Sequence, residues 1–408
     1  MKLSTSLLSV SLAFADISTA TRLSGDVVAQ YDSNQQILAN VYAKKLDLTQ
    51  DLVGLHKNLT DIESVTGHEG PVGKWLESSL KSQGYNVELQ EVDKDRYNVL
   101  AWPGDKRDPR LLISSHIDTV PPFIPYDSHT NKSTTTISGR GSVDAKGSVA
   151  AMIIAANSLL NSVEITPNDF AFLFVVGEEA FGDGMRAAND LNLSPKQVIF
   201  GEPTEGKLAS GHKGILGVKL SIHGKAAHSG YPWLGRSANA VLANALVALL
   251  ELEKELPSSE HYGVTTINIG KVQGGVAANV VAASAEANLA IRIAAGTPDD
   301  IKKAVLEKLD KVAKNFKDGK DDKVYDVEFS QGYGPVPIDA DVPGFESMVV
   351  NYGTDIPNFD LTVKGQKRYL YGPGSILVAH SDHEALTLDE LELAVKDYKR
   401  LILHCLQT

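Results

Sequence analysis

Apolar and polar positions change rhythm several times along this 408-residue chain. Spacings of three and four predict helices, whereas apolar runs and alternations predict strands. Helical spacing covers 48–59, 70–83 and the alanine-rich run 145–160. Strand patterns cover 97–102, 110–115 and 197–200. Residues 169–176 read DFAFLFVV, apolar almost throughout, as expected of a strand covered on both faces. Helices alternating with strands predict an α/β protein, a mixed sheet held between helices.

The rhythm then changes. Residues 214–223 alternate as a strand, 237–256 read as a long helix, and 265–272 and 284–294 as strands. A helix at 298–316 and a strand at 323–329 complete the order β-α-β-β-α-β, that of a ferredoxin-like module. The expected organisation is a catalytic domain in two parts, 21–212 and 331–408, with the module inserted at 213–330. The second part ends in an amphipathic helix at 388–406.

Composition narrows the function. At 43% hydrophobic and 22% charged, the chain can build two real cores. A net charge of −12 argues against nucleic acid or an anionic membrane as partner. Lys2, the apolar stretch 3–15 and the small-residue patterns Ala13-Phe14-Ala15 and Ser18-Thr19-Ala20 predict a secretory signal over 1–20, hence a secreted protein. No apolar run is long enough to span a bilayer. Asn58, Asn131 and Asn192 open glycosylation sequons, the last disfavoured by Pro195. The single cysteine, Cys405, excludes an intrachain disulfide and sits on the last helix as an inert, buried thiol.

Candidate chemistry lies at the ends of the predicted strands. In Leu111–Asp118, His116 and Asp118 point the same way, so Asp118 can orient His116 as a metal ligand. Asp144 follows the glycine-rich run Gly139-Arg-Gly-Ser-Val and can cap a helix or bridge two cations. Glu178 and Glu179 follow the buried strand, where adjacent carboxylates need partners. They point in different directions, so one can bind metal while the other serves as general base. Glu202 ends another short apolar strand. After the Gly372-Pro-Gly374 turn, whose amides can face a substrate carboxylate, either His380 or His383 can bind metal. Open α/β sheets gather their sites at such strand ends. Two His, two Glu and one Asp supply three ligands to each of two metals only if one carboxylate bridges.

In these motifs the chain resembles the zinc-dependent amidohydrolases and exopeptidases that include acetylornithine deacetylase, succinyl-diaminopimelate desuccinylase, aminoacylase and glutamate carboxypeptidase. The resemblance runs from about Leu48 to the C-terminus. It implies a di-zinc exopeptidase-like catalytic domain with an inserted lid and dimerisation domain. It implies two Zn²⁺ per subunit, with Co²⁺ as a substitute. His116 and Glu202 would hold one, Glu179 and His380 the other, with Asp144 between them. Glu178 would be the general base and Asp118 the orienter of His116. The family's last motif reads Ala-His-x-x-Asp-Glu, and His383 stands at its Asp position. Gly224-Lys-Ala-Ala-His228-Ser229 resembles the lid motif whose His stabilises the oxyanion, from the partner subunit in dimeric members. Asn279 and Arg292 match lid positions that contact substrate.

The expected activity is hydrolysis of an amide bond beside a free carboxylate. A secreted protein favours a carboxypeptidase acting on small peptides; the alternative is deacylation of N-acyl amino acids. A non-catalytic binding protein on the same scaffold and a two-metal phosphoesterase are the remote readings. A homodimer through the lid is the expected assembly.

Overall fold

The computed structural model describes residues 47–180, 182–319 and 321–407. The expected signal at 1–20 lies outside them. Residues from Asp51 onward form one unit.

The apolar run behaves as its composition requires. Phe170–Val175 is wholly buried inside a six-stranded sheet. The strand order is Asn86–Asp93, Arg96–Trp102, Phe170–Val175, Leu111–His116, Gln197–Gly201, Lys367–Tyr371. The first two pairings are antiparallel and the remaining three parallel. Phe170, Phe172 and Phe174 stack along one face, with centroids 5.2 and 5.3 Å apart. Burying each such ring contributes about 1.5–3 kcal/mol. Helix Lys146–Asn161 packs on the sheet and against the last helix, Leu388–Gln407. The other face is closed by Met185, Ala188, Ile338, Val350 and Phe359. Helical residues 51–61 and helix Gly70–Ser82 complete this region.

Several elements carry no clear pattern in the sequence. Asn86–Asp93 reads NVELQEVD and forms the sheet edge, so mixed polarity suits it. The hairpin Asp127–Asn131 with Thr134–Ser138 is mostly exposed and pairs with Ala385–Thr387. Leu208–His212 lies in a separate three-stranded sheet between Val336–Pro337 and Ser347–Val350.

The second rhythm builds a four-stranded antiparallel sheet, in order Thr266–Gly274, Ser284–Ile293, Gly214–His223, Tyr325–Phe329. With helices Ala238–Leu252 and Pro298–Lys314 the order is β-α-β-β-α-β. Along Gly214–His223, Leu216, Val218, Leu220 and Ile222 face one core and Lys219 faces solvent. Ile301, Val305, Leu309 and Ala313 recur every four residues and close that core from the second helix. Thr297 and Asp300 form a capping box at its start. Cys405 is buried, and burial pushes its thiol up to about 12.

Candidate metal centre

Parallel pairing gathers the candidate residues. His116 is level with Val175, Ser115 with Gly201, and Tyr371 with Gly201. His116, the Gly177–Glu179 turn, Glu202 and the Gly372–Gly374 turn therefore leave the sheet along one edge. Asp144 and His380 arrive from other segments. Two sets result: His116, Asp144 and Glu202, and Asp144, Glu179 and His380, each with one ligand atom per residue within 4.8 Å of the others. Asp144 belongs to both.

Its two oxygens divide between the histidines. Oδ1 lies 3.1 Å from His116 Nε2, and Oδ2 lies 3.3 Å from His380 Nε2. His116 Nε2 is 3.7 Å from Glu202 Oε1, and His380 Nε2 is 2.9 Å from Glu179 Oε2. His380 has φ of 64°, uncommon for a non-glycine residue, so the loop is held to present this ring. His383 lies exposed and pairs with Asp382 instead.

The supports differ in part from expectation. His116 Nδ1 donates to the backbone carbonyl of Asp118 at 3.0 Å, while the Asp118 carboxylate is 3.5 Å away. That carboxylate accepts instead from the Glu178 and Glu179 amides, at 3.1 and 3.2 Å, and from Thr66 Oγ1 at 2.8 Å. Asp118 thus braces the glutamate turn, and it fixes the His116 tautomer mainly through its backbone. The Gly372 amide is also taken: it donates to Thr204 Oγ1 at 2.9 Å rather than facing a substrate carboxylate. Gly372 is a close-approach glycine, because a Cβ there would overlap the Glu202 carbonyl. Gly374, at φ 73°, accepts from the Glu205 amide through its carbonyl.

Two further residues hold Asp144. The Glu384 carboxylate accepts from the Val143 and Asp144 amides at 3.0 and 3.2 Å, and from Arg140 Nη1 at 2.6 Å. Both charges are almost wholly buried. Glu384 occupies the Glu of the Ala-His-x-x-Asp-Glu pattern, a signal that was available in the sequence. Arg140 lies in the glycine-rich run. Asp355 lines a small cavity beside His116 and Glu202, and nothing local in the sequence marks it. Burial pushes its carboxyl up to about 7.

Crowded carboxylates define the electrostatics. Burial, then the charges of Glu202, Asp355 and Glu179, raise Glu178 well above the usual carboxylate range. Burial and the neighbouring Asp144 and Glu179 push Glu202 up to about 8. Burial opposes ionisation of Asp144, yet hydrogen bonds from His116 and His380 hold it below its ordinary range. Hydrogen bonds to Asp144 and Glu179 raise His380 to about 10. Nitrogen and oxygen donors in this arrangement suit divalent cations, whose charge relieves the repulsion.

The module residues stand apart. The His228 ring accepts from the Gly230 amide at 3.0 Å and lies against Tyr231. The Asn279 carbonyl accepts from the Ser229 amide. Arg292 lies half-buried, its guanidinium against Gly353 on the catalytic side.

A mixed sheet with a two-set carboxylate and histidine centre at its edge, carrying an inserted α+β module, presents a candidate hydrolytic centre for two divalent ions. Residues 210–317 match the family described as Peptidase dimerisation domain, and 98–199 match Peptidase family M28. A "Probable carboxypeptidase" of Aspergillus terreus is 45% identical over 94% of this chain and 92% of its own length. A second, of Aspergillus flavus, is 48% identical over 87% of each. A "Peptidase M20 domain-containing protein" of Sordaria macrospora is 46% identical over 88% of this chain and 85% of its own. The fold also matches a Staphylococcus aureus tripeptidase (TM-score 0.72, 22% identity, 88% and 99% coverage). It matches an M20 family metallo-carboxypeptidase of Sulfolobus solfataricus as well (TM-score 0.68, 18% identity, 88% and 99% coverage). The chain belongs to the M20 peptidase family and is a metallopeptidase.

Proposed function

We propose that this chain is a secreted carboxypeptidase acting on small peptides with two Zn²⁺ per subunit, for which Co²⁺ can substitute. The observation that carries the reading is Asp144, whose two oxygens face His116 and His380 in separate ligand sets. His116 and Glu202 would hold one ion, Glu179 and His380 the other, and Asp144 both. When bound, the ions supply Lewis acidity and lower the pKa of the attacking water. Glu178 would take a proton from that water and pass it to the leaving amine. Asp118 keeps Glu178 in place through its amide hydrogen bond.

The module supplies the remaining contacts. His228 would donate to the developing oxyanion. Its ring is exposed and meets Gly230 and Tyr231 of its own loop, which supports its serving the partner's site in a homodimer. Exposed apolar side chains on the module, Trp233, Leu234, Val272 and Val276, support that assembly. Asn279 would contact substrate, and Arg292 would hold its terminal carboxylate. The Gly372–Gly374 turn would act by placing Glu202. Secretion rests on the N-terminal pattern, with Asn131 exposed beside a hairpin turn.

A substrate panel tests the reading: peptides with free C-termini, N-acyl amino acids and a phosphate ester, each with zinc and with chelator. Release of the C-terminal residue, abolished by chelation, is the expected result. Cleavage of N-acyl amino acids alone would make the enzyme a deacylase, and turnover only of the ester would remove the peptidase reading.

A further inference from the structure

The half-buried guanidinium of Arg292 has no carboxylate partner among the described residues. That is unusual in a chain with 51 acidic and 39 basic residues. A partly desolvated cation left alone is costly unless an anion arrives. Its Nη1 would lie 3.6 Å from a Cβ built on Gly353, and the Tyr333 hydroxyl would overlap that same atom. Guanidinium and phenol therefore converge on one bare patch of backbone. Arg292 belongs to the module, Gly353 to the catalytic part, and Tyr333 to the segment that crosses between them. Tyr333 is fixed there by paired backbone hydrogen bonds with Ile215, both 3.0 Å, and by an edge contact with His212. His212 is itself held by Thr354 Oγ1 at 3.0 Å.

The Tyr333 phenol keeps its proton: burial, then the nearby negative charges of Glu178 and Asp355, raise it above its ordinary range. Its O–H is therefore a donor on the patch where the Arg292 guanidinium converges. A donor that stays protonated beside a fixed guanidinium is a two-point receptor for a carboxylate. We infer that Tyr333 is a specificity residue: its hydroxyl joins Arg292 in binding the substrate's terminal carboxylate, and Gly353 leaves the room for it. The inference rests on the carboxypeptidase reading above.

The experiment compares a short N-blocked peptide with its C-terminal amide, using the full chain with zinc. Wild type, Tyr333→Phe and Gly353→Ala are measured, with metal content and Tm recorded for each. Wild type should prefer the free acid. Tyr333→Phe should lose about tenfold to a hundredfold in kcat/KM on the acid, mainly through KM, and leave the amide's rate in place. Gly353→Ala should reproduce that selective loss with Tyr333 present, because its methyl displaces the hydroxyl; it also serves if Tyr333→Phe fails to fold. Equal losses on acid and amide, or no change, would overturn the role of Tyr333 and leave the carboxypeptidase reading standing. Wild type without preference for the acid would overturn both.

Discussion

The sheet edge and the inserted module treat their polar groups in opposite ways. At the edge, charges are buried and nearly every one has a partner: Asp118 braces the glutamate turn, and Glu384 with Arg140 braces Asp144. In the module, His228 and Asn279 lie exposed, and Arg292 meets no carboxylate among the described residues. The edge is therefore preorganised by one chain, whereas the proposed function has the module's contribution completed from outside, by substrate or by a second copy. Each buried charge at the edge depends on its partner, since an unmatched buried charge costs several kcal/mol.

Removing one function at a time breaks the comparison where it is sharpest. Glu178→Gln should lower kcat by about 10²–10⁴-fold while metal content stays at the wild-type value; elemental analysis beside turnover checks both. Glu384→Ala should destabilise the fold by about 3–5 kcal/mol in a denaturant titration, because it leaves Arg140 buried and unpaired. His228→Ala should reduce kcat by about 10²–10³-fold without loss of metal or stability. A mixed dimer of Glu178→Gln and His228→Ala chains should recover part of the activity if His228 serves the partner, and none if it serves its own chain. The smallest effect belongs to His383→Ala, which should keep its metal, while His380→Ala loses it.

Regular periods made much of the fold legible. DFAFLFVV is the buried strand its composition suggests, and the four-residue recurrence from Ile301 to Ala313 is the inner face of a helix. Asn86–Asp93 escaped because an edge strand half in water needs no apolar pattern. The ligand set was legible because each member ends an apolar strand or follows a glycine turn. The bonds its supports make were not, because they depend on contacts between distant segments. Glu384 meets Asp144 across some 240 positions, and no local pattern announces that pairing. Asp118 shows a finer limit: alternation puts its side chain near His116, but the backbone carbonyl makes the closer bond.

The central claim is that Asp144 joins two metal sites. Zinc content of purified wild type and Asp144→Ala, measured after dialysis, tests it most directly. The account predicts two zinc ions per wild-type chain and loss of both sites' tight binding in the variant. One ion in the wild type, or two retained by Asp144→Ala, would contradict it.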